Sequence, residues 1–374
     1  MQQMFKYNKL DLNELLLYSN LMNDFQRFQV SRTNEKVCIN TPGFVYGKWT
    51  NKQFVLVMEN MKPQGYGQNP KEKSFNLHQA KLGLEQVARL HAVSYAYDKE
   101  HNLLNLYPSY DFDTIKELQT VGYDKMLDAC IAFLKGREGT EEIVKKISSI
   151  KSKFVKKASE GFSYDTKVKC LIHADCWNNN FLFKADIDEN GNETFINSEK
   201  MLVLDFQSLH WNTPMFDLCM YIYRSTTPQF RKKHLEELLI YYYSTFTDIL
   251  TKLKCEESIW TYDEFKSEYD RVFPWRLQFA IDSAIIQSEA MKEMTLGKSD
   301  PGPSGPMWTK IKAAAAKLIM PLFMHPVVCE MMFGGMVKPL TKELIEDKNK
   351  FYCDWMFDVL LEAEENGIFD ESRY

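Results

Sequence analysis

The chain has 374 residues, 45% hydrophobic and 26% charged, fractions that exclude whole-chain disorder and a collagen-like structure. Its 46 Lys and Arg against 51 Asp and Glu give a net charge of −5, so no bulk basic excess is available to hold a nucleic acid. Aromatics reach 14%, enough for a large core and a pocket, and the length suits two or three domains or one large two-lobed enzyme.

In chain order, Leu10 to Phe28 reads as a helix, because Leu12, Leu15, Leu16, Tyr18, Leu21, Met22 and Phe25 recur at spacings of three and four. A turn follows at Asn40 to Gly43. The nearly all-apolar run from Gln53 to Glu59 predicts a strand buried on both faces. Pro63, Gly65 and Gly67 then mark a hinge. Beyond Ser74 the pattern turns helical: Leu77, Ala80, Leu84, Val87, His91 and Tyr95 share one stripe, and helices fit Tyr110–Lys135 and Thr140–Glu160. Strand character returns between Cys170 and Gln207, with a hairpin turn at Asn190–Gly191. After Pro214 the chain is helical, except for a Gly/Pro/Ser loop at Gly297–Pro306.

The eight cysteines, Cys38, Cys130, Cys170, Cys176, Cys219, Cys255, Cys329 and Cys353, form no CxxC pair, so reduced thiols in a cytoplasmic protein are expected. Met1 to Lys9 lacks the apolar stretch of a signal peptide. The most membrane-like run, Ala313 to Val337, is broken by Lys317, Pro321, His325, Pro326 and Glu330, short of the roughly 18–20 residues a span needs. No membrane partner and no nucleic-acid partner are expected.

Two strings carry chemistry: Cys170 to Phe183 (CLIHADCWNNNFLF) and Met201 to Gln207 (MLVLDFQ). Each places an acid at the end of a short apolar strand, where a carboxylate leaves the core. Phosphoryl transfer from ATP needs a carboxylate to receive the proton of the attacking hydroxyl. It also needs an Asn oxygen and a second carboxylate to hold Mg²⁺, a hard cation that takes oxygen ligands. In the protein-kinase template the Asn follows the catalytic Asp by five residues and the second Asp opens a DFG turn. Asp175 and Asn180 have that spacing, and Asp205, Phe206 and Gln207 stand where DFG would. With seven His in the chain, chance gives about 0.02 matches to HxDxxxxN, the pattern that His173, Asp175 and Asn180 fill.

Together with Pro214 to Leu218 (PMFDL), Val57 to Met61 (VMENM) and Leu90 to Ser94 (LHAVS), these strings resemble the choline-kinase-like small-molecule kinases. Trp177 and Gln207 favour the ecdysteroid kinase-like branch over true choline kinases and aminoglycoside phosphotransferases. The resemblance implies an α+β, protein-kinase-like two-lobed fold. Residues 1–62 would form a partial small lobe, and residues 63–374 a large, mainly helical lobe with the catalytic loop. It further implies Asp175 as catalytic base, His173 as a brace of the catalytic loop, Asn180 and Asp205 as Mg²⁺ ligands, and Asp217 as a structural acid beneath the loop. Val57, Met58, Glu59, Asn60 and Met61 would offer backbone to adenine. Glu14, in Leu12 to Tyr18 (LNELLLY), would pair with a phosphate-binding lysine.

That lysine belongs on a strand well upstream, whereas thirteen residues precede Glu14 and neither GxGxxG nor GxxxxGK occurs. A truncated small lobe is therefore expected. The expected activity is ATP- and Mg²⁺-dependent phosphorylation of an ecdysteroid-like or other lipophilic alcohol. The alternatives are an impaired pseudokinase or binding protein, and a choline or ethanolamine kinase.

Other features read as structural. Asp186 to Gly191 opens like an EF-hand loop, but Asn197 stands where the closing Glu is required. The Asn192 sequon reads as inert, His91 as a hydrogen-bonded core histidine and Cys176 as a packed thiol. Trp211, Trp260, Tyr262, Phe273 and Trp275 are read as core packing before pocket lining.

Overall fold

Short strands interleave with long helices, as the alternation of apolar runs and helical stripes predicts. The computed structural model describes residues 10–33, 39–50, 53–68, 74–108, 115–160, 165–187, 193–255, 259–286, 341–342, 344–346 and 349–374. Lys6, Lys9, Cys38, Cys329, the Asn190–Gly191 turn, the Gly297–Pro306 loop and the Ala313–Val337 run lie outside the described residues. The elements are α1 (10–32), β1 (Phe44–Thr50), β2 (Gln53–Met58), β3 (Tyr66–Gly67), α2 (Leu77–His101), α3 (Leu103–Leu106), α4 (Ile115–Lys135) and α5 (Glu141–Glu160). They continue with β4 (Cys170–Ile172), β5 (Phe181–Lys184), β6 (Asp186–Ile187), β7 (Glu193–Thr194), β8 (Met201–Val203) and β9 (His210–Asn212). Helices α6 (Met215–Ser225), α7 (Pro228–Lys252), α8 (Tyr262–Arg271), α9 (Phe273–Ile286) and α10 (Lys350–Glu365) complete the order. Long helices with small antiparallel sheets make the fold α+β.

The chain divides into two compact units. The first takes Met1–Phe112 and Asp165–Val272, so residues 1–62 fall within a larger body. Helix α2 is its centre. Asn76 starts the helix with a capping box to Gln79. Of the expected stripe, Ala80, Leu84, Val87, His91 and Tyr95 are buried and Leu77 is half-buried, and Ala88, Ala92 and Ala96 are buried as well. Small residues on those sides let α7, α6 and β4 approach. Gly83 is the tightest case, because a Cβ there would overlap the Tyr221 hydroxyl, which donates to the Ala80 carbonyl at 3.1 Å. A π-helical turn at Leu17–Leu21 rephases α1, leaving Leu17 and Leu21 with no exposed surface.

The strands form β1–β2, β3–β5–β8, β4–β9 and β6–β7 sheets, all antiparallel. The expectation that the Gln53–Glu59 run is buried on both faces is corrected: Val55 and Val57 are 38% and 41% exposed. A two-stranded antiparallel sheet covers one face only, and the run alternates accordingly. Its partner β1 was not anticipated from sequence. Gly47 interrupts the strand pattern there, at a point where Leu15 of α1 comes too close for a Cβ. Strands β6 and β7 flank the expected hairpin and pair Ile187 with Glu193.

The second unit takes Asp113–Tyr164 and Phe273–Tyr374. On α5, Ile147, Ile150, Phe154 and Ala158 form a fully buried stripe at spacings of three and four. Trp275 of α9 is buried and donates its indole N–H to the Ala158 carbonyl at 3.1 Å. Tyr352, Cys353, Met356, Val359 and Leu360 make the buried face of α10. Phe273 and Trp275 thus pack in this core, and Trp260 packs on Phe246 and Phe265 in the first unit. Cys130, Cys170, Cys176, Cys219 and Cys353 are buried free thiols. Among the described residues, no helix is long and apolar enough to cross a membrane.

Candidate active site

The loop that carries His173, Ala174 and Asp175 is built from underneath. Strand β4 is wholly buried and hands the chain to His173, Ala174 and Asp175. Asp217, in the first turn of α6, is fully buried below the loop. Its Oδ2 accepts the His173 amide at 2.7 Å and its Oδ1 accepts the Ala174 amide at 2.8 Å. His91 of α2 reaches the same carboxylate through Nε2 at 3.0 Å, with its Nδ1 2.8 Å from the Tyr242 hydroxyl. Burial pushes the Asp217 carboxyl up. The hydrogen bond and charge of His91, the charge of His173 and the His173 amide outweigh burial and hold it below the usual carboxylate range. His91 is the hydrogen-bonded core residue that its stripe suggests.

These bonds hold Ala174 at φ 60°, a left-handed conformation unfavourable for any residue with a Cβ. The bend lifts Asp175 out of the strand. The His173 ring closes the corner: Nε2 meets the Leu204 carbonyl at 2.9 Å, so its N–H points there, and Nδ1 accepts the Asp175 amide at 3.2 Å.

Asn180 ends a 3₁₀ turn at Asn178–Asn180. Its Nδ2 donates to the Asp175 carbonyl at 2.8 Å and to Asp175 Oδ2 at 2.9 Å. The amide nitrogen is spent on Asp175, which leaves the side-chain oxygen for a cation. The Asn180 carbonyl accepts the Leu204 amide at 2.9 Å. This bond brings the two acid-bearing strings together. Asp205, just past β8, also has a positive φ of 61°. Burial and the charge of Asp175 push its carboxyl up.

Glu14 comes to the same place from α1. Its Oε1 accepts the Phe206 amide at 3.2 Å, and no lysine pairs with it among the described residues. Burial and the charge of Asp205 push it up to about 7. Burial is the larger cause at both Glu14 and Asp205 and the neighbouring acid adds to it, and a bound cation would offset both. The Asp205 carboxylate and the Asn180 amide oxygen are hard oxygen donors of the kind a divalent ion such as Mg²⁺ would take. Among the described residues no group of three or more His, Cys, Asp or Glu could hold a metal alone.

A cavity of about 590 Å³ adjoins Asp205. Glu14, Tyr18, Leu56, Met58, Leu182, Phe195 and Leu204 line it, with Glu59, Asn60, Met61 and Lys62 along one rim. Val57, expected on this wall, is not part of it, since side chains alternate along β2 and Leu56 and Met58 face in. The backbone offered by the Val57–Met61 stretch is also narrower than expected. The Glu59 amide donates to the Gly43 carbonyl at 2.7 Å, and the Met61 carbonyl already accepts from Gln64 and Tyr66. Cys176 is buried, and burial raises its thiol well above the ordinary value, so it is a packed group.

A family model for ecdysteroid kinase-like proteins matches residues 1–255. The chain belongs to the ecdysteroid kinase-like family. Every site residue described above falls within the matched part, and its family makes the chain a kinase-like protein of the small-molecule class. No curated protein matches the chain.

One residue that the structure brings to Asp175 was missed in sequence. Arg224 Nη1 lies 3.4 Å from Asp175 Oδ1. The available signal was a single cation near the end of the apolar helix Met215–Ser225, seven residues after Asp217. Two helical turns place it on the face that already holds the loop.

Proposed function

We propose that this chain is an ATP- and Mg²⁺-dependent kinase of protein-kinase-like, two-lobed design that phosphorylates a hydroxyl of an ecdysteroid-like or other lipophilic alcohol. One observation carries the proposal: Asn180 is bonded to Asp175 while the Asp205 string is bonded to Asn180 through Leu204. Asp175 would receive the proton of the attacking hydroxyl, and His173 would keep its backbone in place. The Asn180 oxygen and Asp205 would hold Mg²⁺, which when bound offsets the charge of the transferring phosphoryl group. Leu56, Met58, Leu182 and Leu204 would give the nucleotide base apolar walls.

Asp175→Ala is expected to lower kcat about 10²–10⁴-fold towards an ecdysteroid acceptor with labelled ATP, with an unchanged melting temperature. A variant as fast as wild type would show that Asp175 is not the base. Choline and ethanolamine as acceptors test the remaining kinase alternative directly.

A second reading, a nucleotide-binding protein impaired in transfer, is favoured by Glu14, which caps the Phe206 amide and has no lysine partner among the described residues. Melting curves with Mg-ATP separate the readings when set beside the transfer assay. Binding at 100 times Kd adds about 2.7 kcal/mol of stability, and such a shift without turnover would favour the second reading.

A further inference from the structure

Asp175 is held between two groups. Asn180 takes Oδ2 at 2.9 Å, and through Leu204 it is tied to the Asp205 end of the nucleotide cavity. Arg224 takes the other oxygen, Oδ1, at 3.4 Å. The guanidinium also lies over the Trp177 ring, 4.7 Å from its centroid. The Arg224 and Asp175 side chains are 16% and 29% exposed, mostly desolvated yet open to a solute. The Trp177 indole N–H is buried with no acceptor among the described residues. A hydroxyl delivered to Asp175 on the side away from Asn180 therefore meets a cation stacked on an aromatic face.

Building on the kinase reading above, we propose that Arg224, seated on Trp177, is a specificity-determining residue on the acceptor side of Asp175. It selects alcohols with a second oxygen on the carbon next to the reacting one, and it rejects alcohols with a fixed positive charge there. A guanidinium carries only donors, so it recognises oxygen. Its 3.4 Å separation from Asp175 Oδ1 matches two oxygens on neighbouring carbons, one donating to the carboxylate and one accepting from the arginine. A quaternary ammonium would need the ring face that the guanidinium already covers, and it would meet a like charge at short range. The fork also separates this site from one built with lysine, a point charge that rotates.

The test uses the full chain and measures both acceptor affinity by calorimetry and transfer rate. The probes are a dihydroxycholesterol with a vicinal side-chain diol, the matching monohydroxycholesterol, choline, and 3,3-dimethylbutan-1-ol, the uncharged isostere of choline. Wild type is expected to favour the diol over the mono-ol about tenfold, the scale of one hydrogen bond to a charged group, and to bind choline more weakly than its isostere. Arg224→Met should raise KM for the diol about tenfold with little change in kcat and abolish the preference. Arg224→Lys should keep the discrimination against choline and lose that for the diol. Arg224→Glu should reverse the choline order.

Equal affinity for diol and mono-ol in wild type, a preference that survives Arg224→Met, or choline bound more tightly than its isostere would each overturn the assignment. If Arg224→Met does not fold, Arg224→Lys decides through the diol preference. Transfer to these alcohols that ignores the second oxygen sinks the role of Arg224 alone. Absence of transfer to every alcohol sinks the kinase reading and this assignment with it.

Discussion

The His173–Asp175 loop and the β1–β2 hairpin are both short extended segments of the first unit, and they are held in opposite ways. Beneath the loop, Asp217, His91, His173 and Tyr242 form a buried chain in which the polar contacts are 2.7–3.0 Å long. The hairpin has one face in solvent, with Val45 at 64% and Tyr46 at 52% exposure. In a low-dielectric interior each satisfied bond supports the next and each broken one is expensive. On a wet face, loss of a side chain changes little. The candidate catalytic groups therefore stand on the deeply braced segment, and the backbone beside the cavity at Asp205 stands on the thin one.

Substitutions can break this contrast, from large effect to small. Asp217→Ala should be worst, at about 3–5 kcal/mol for removing one partner of a buried pair, seen as a melting temperature roughly 10 °C lower. The milder Asp217→Asn reports on charge. Because the native pKa is depressed, the carboxylate's contribution is present above the unfolded value near 4 and is lost as pH falls through the lower native value. Urea titrations should show the gap between wild type and Asp217→Asn closing only below about pH 4. His91 and His173, which face the carboxylate from α2 and from the loop, set the depth of that limit.

A smaller change of opposite sign is expected at Ala174. Its φ of 60° suits glycine, so Ala174→Gly should gain about 0.5–1 kcal/mol after the entropy of the unfolded glycine is counted. A loss of stability would mean that the bend is not strained. The smallest effect belongs to the hairpin: Val57→Thr should stay within about 0.5 kcal/mol in the same melts. A cost comparable to that of Asp217→Ala would show that the hairpin is as tightly held as the loop.

How much of this was legible in sequence depended on range. Asp175 and Asn180 lie five residues apart, and a spacing on one loop is visible in the string itself. The stripe on α2 was equally plain, because helical period places Ala80, Leu84, Val87 and His91 on one side without reference to any neighbour. What needed a partner from elsewhere was harder to see. Glu14 fits the family pattern, yet the group it meets is the Phe206 amide, nearly two hundred residues away and invisible as a side chain. Strands β1 and β9 exist through their pairing, and the orientation of Val57 follows from pairing on one face. Arg224 reaches Asp175 only because α6 returns beneath the loop.

Leu204 is a junction: its amide serves Asn180 and its carbonyl serves His173. The excursion between Lys184 and Met201 is pinned separately, by the carbonyls of Phe195, Ile196 and Ser198 on Gln79, Asn76 and His78 at the head of α2. Extra residues placed between Ile187 and Glu193 would lie outside both fastenings. That position is where a reporter tag or an evolutionary insertion could lengthen the chain while the acid pair keeps its register.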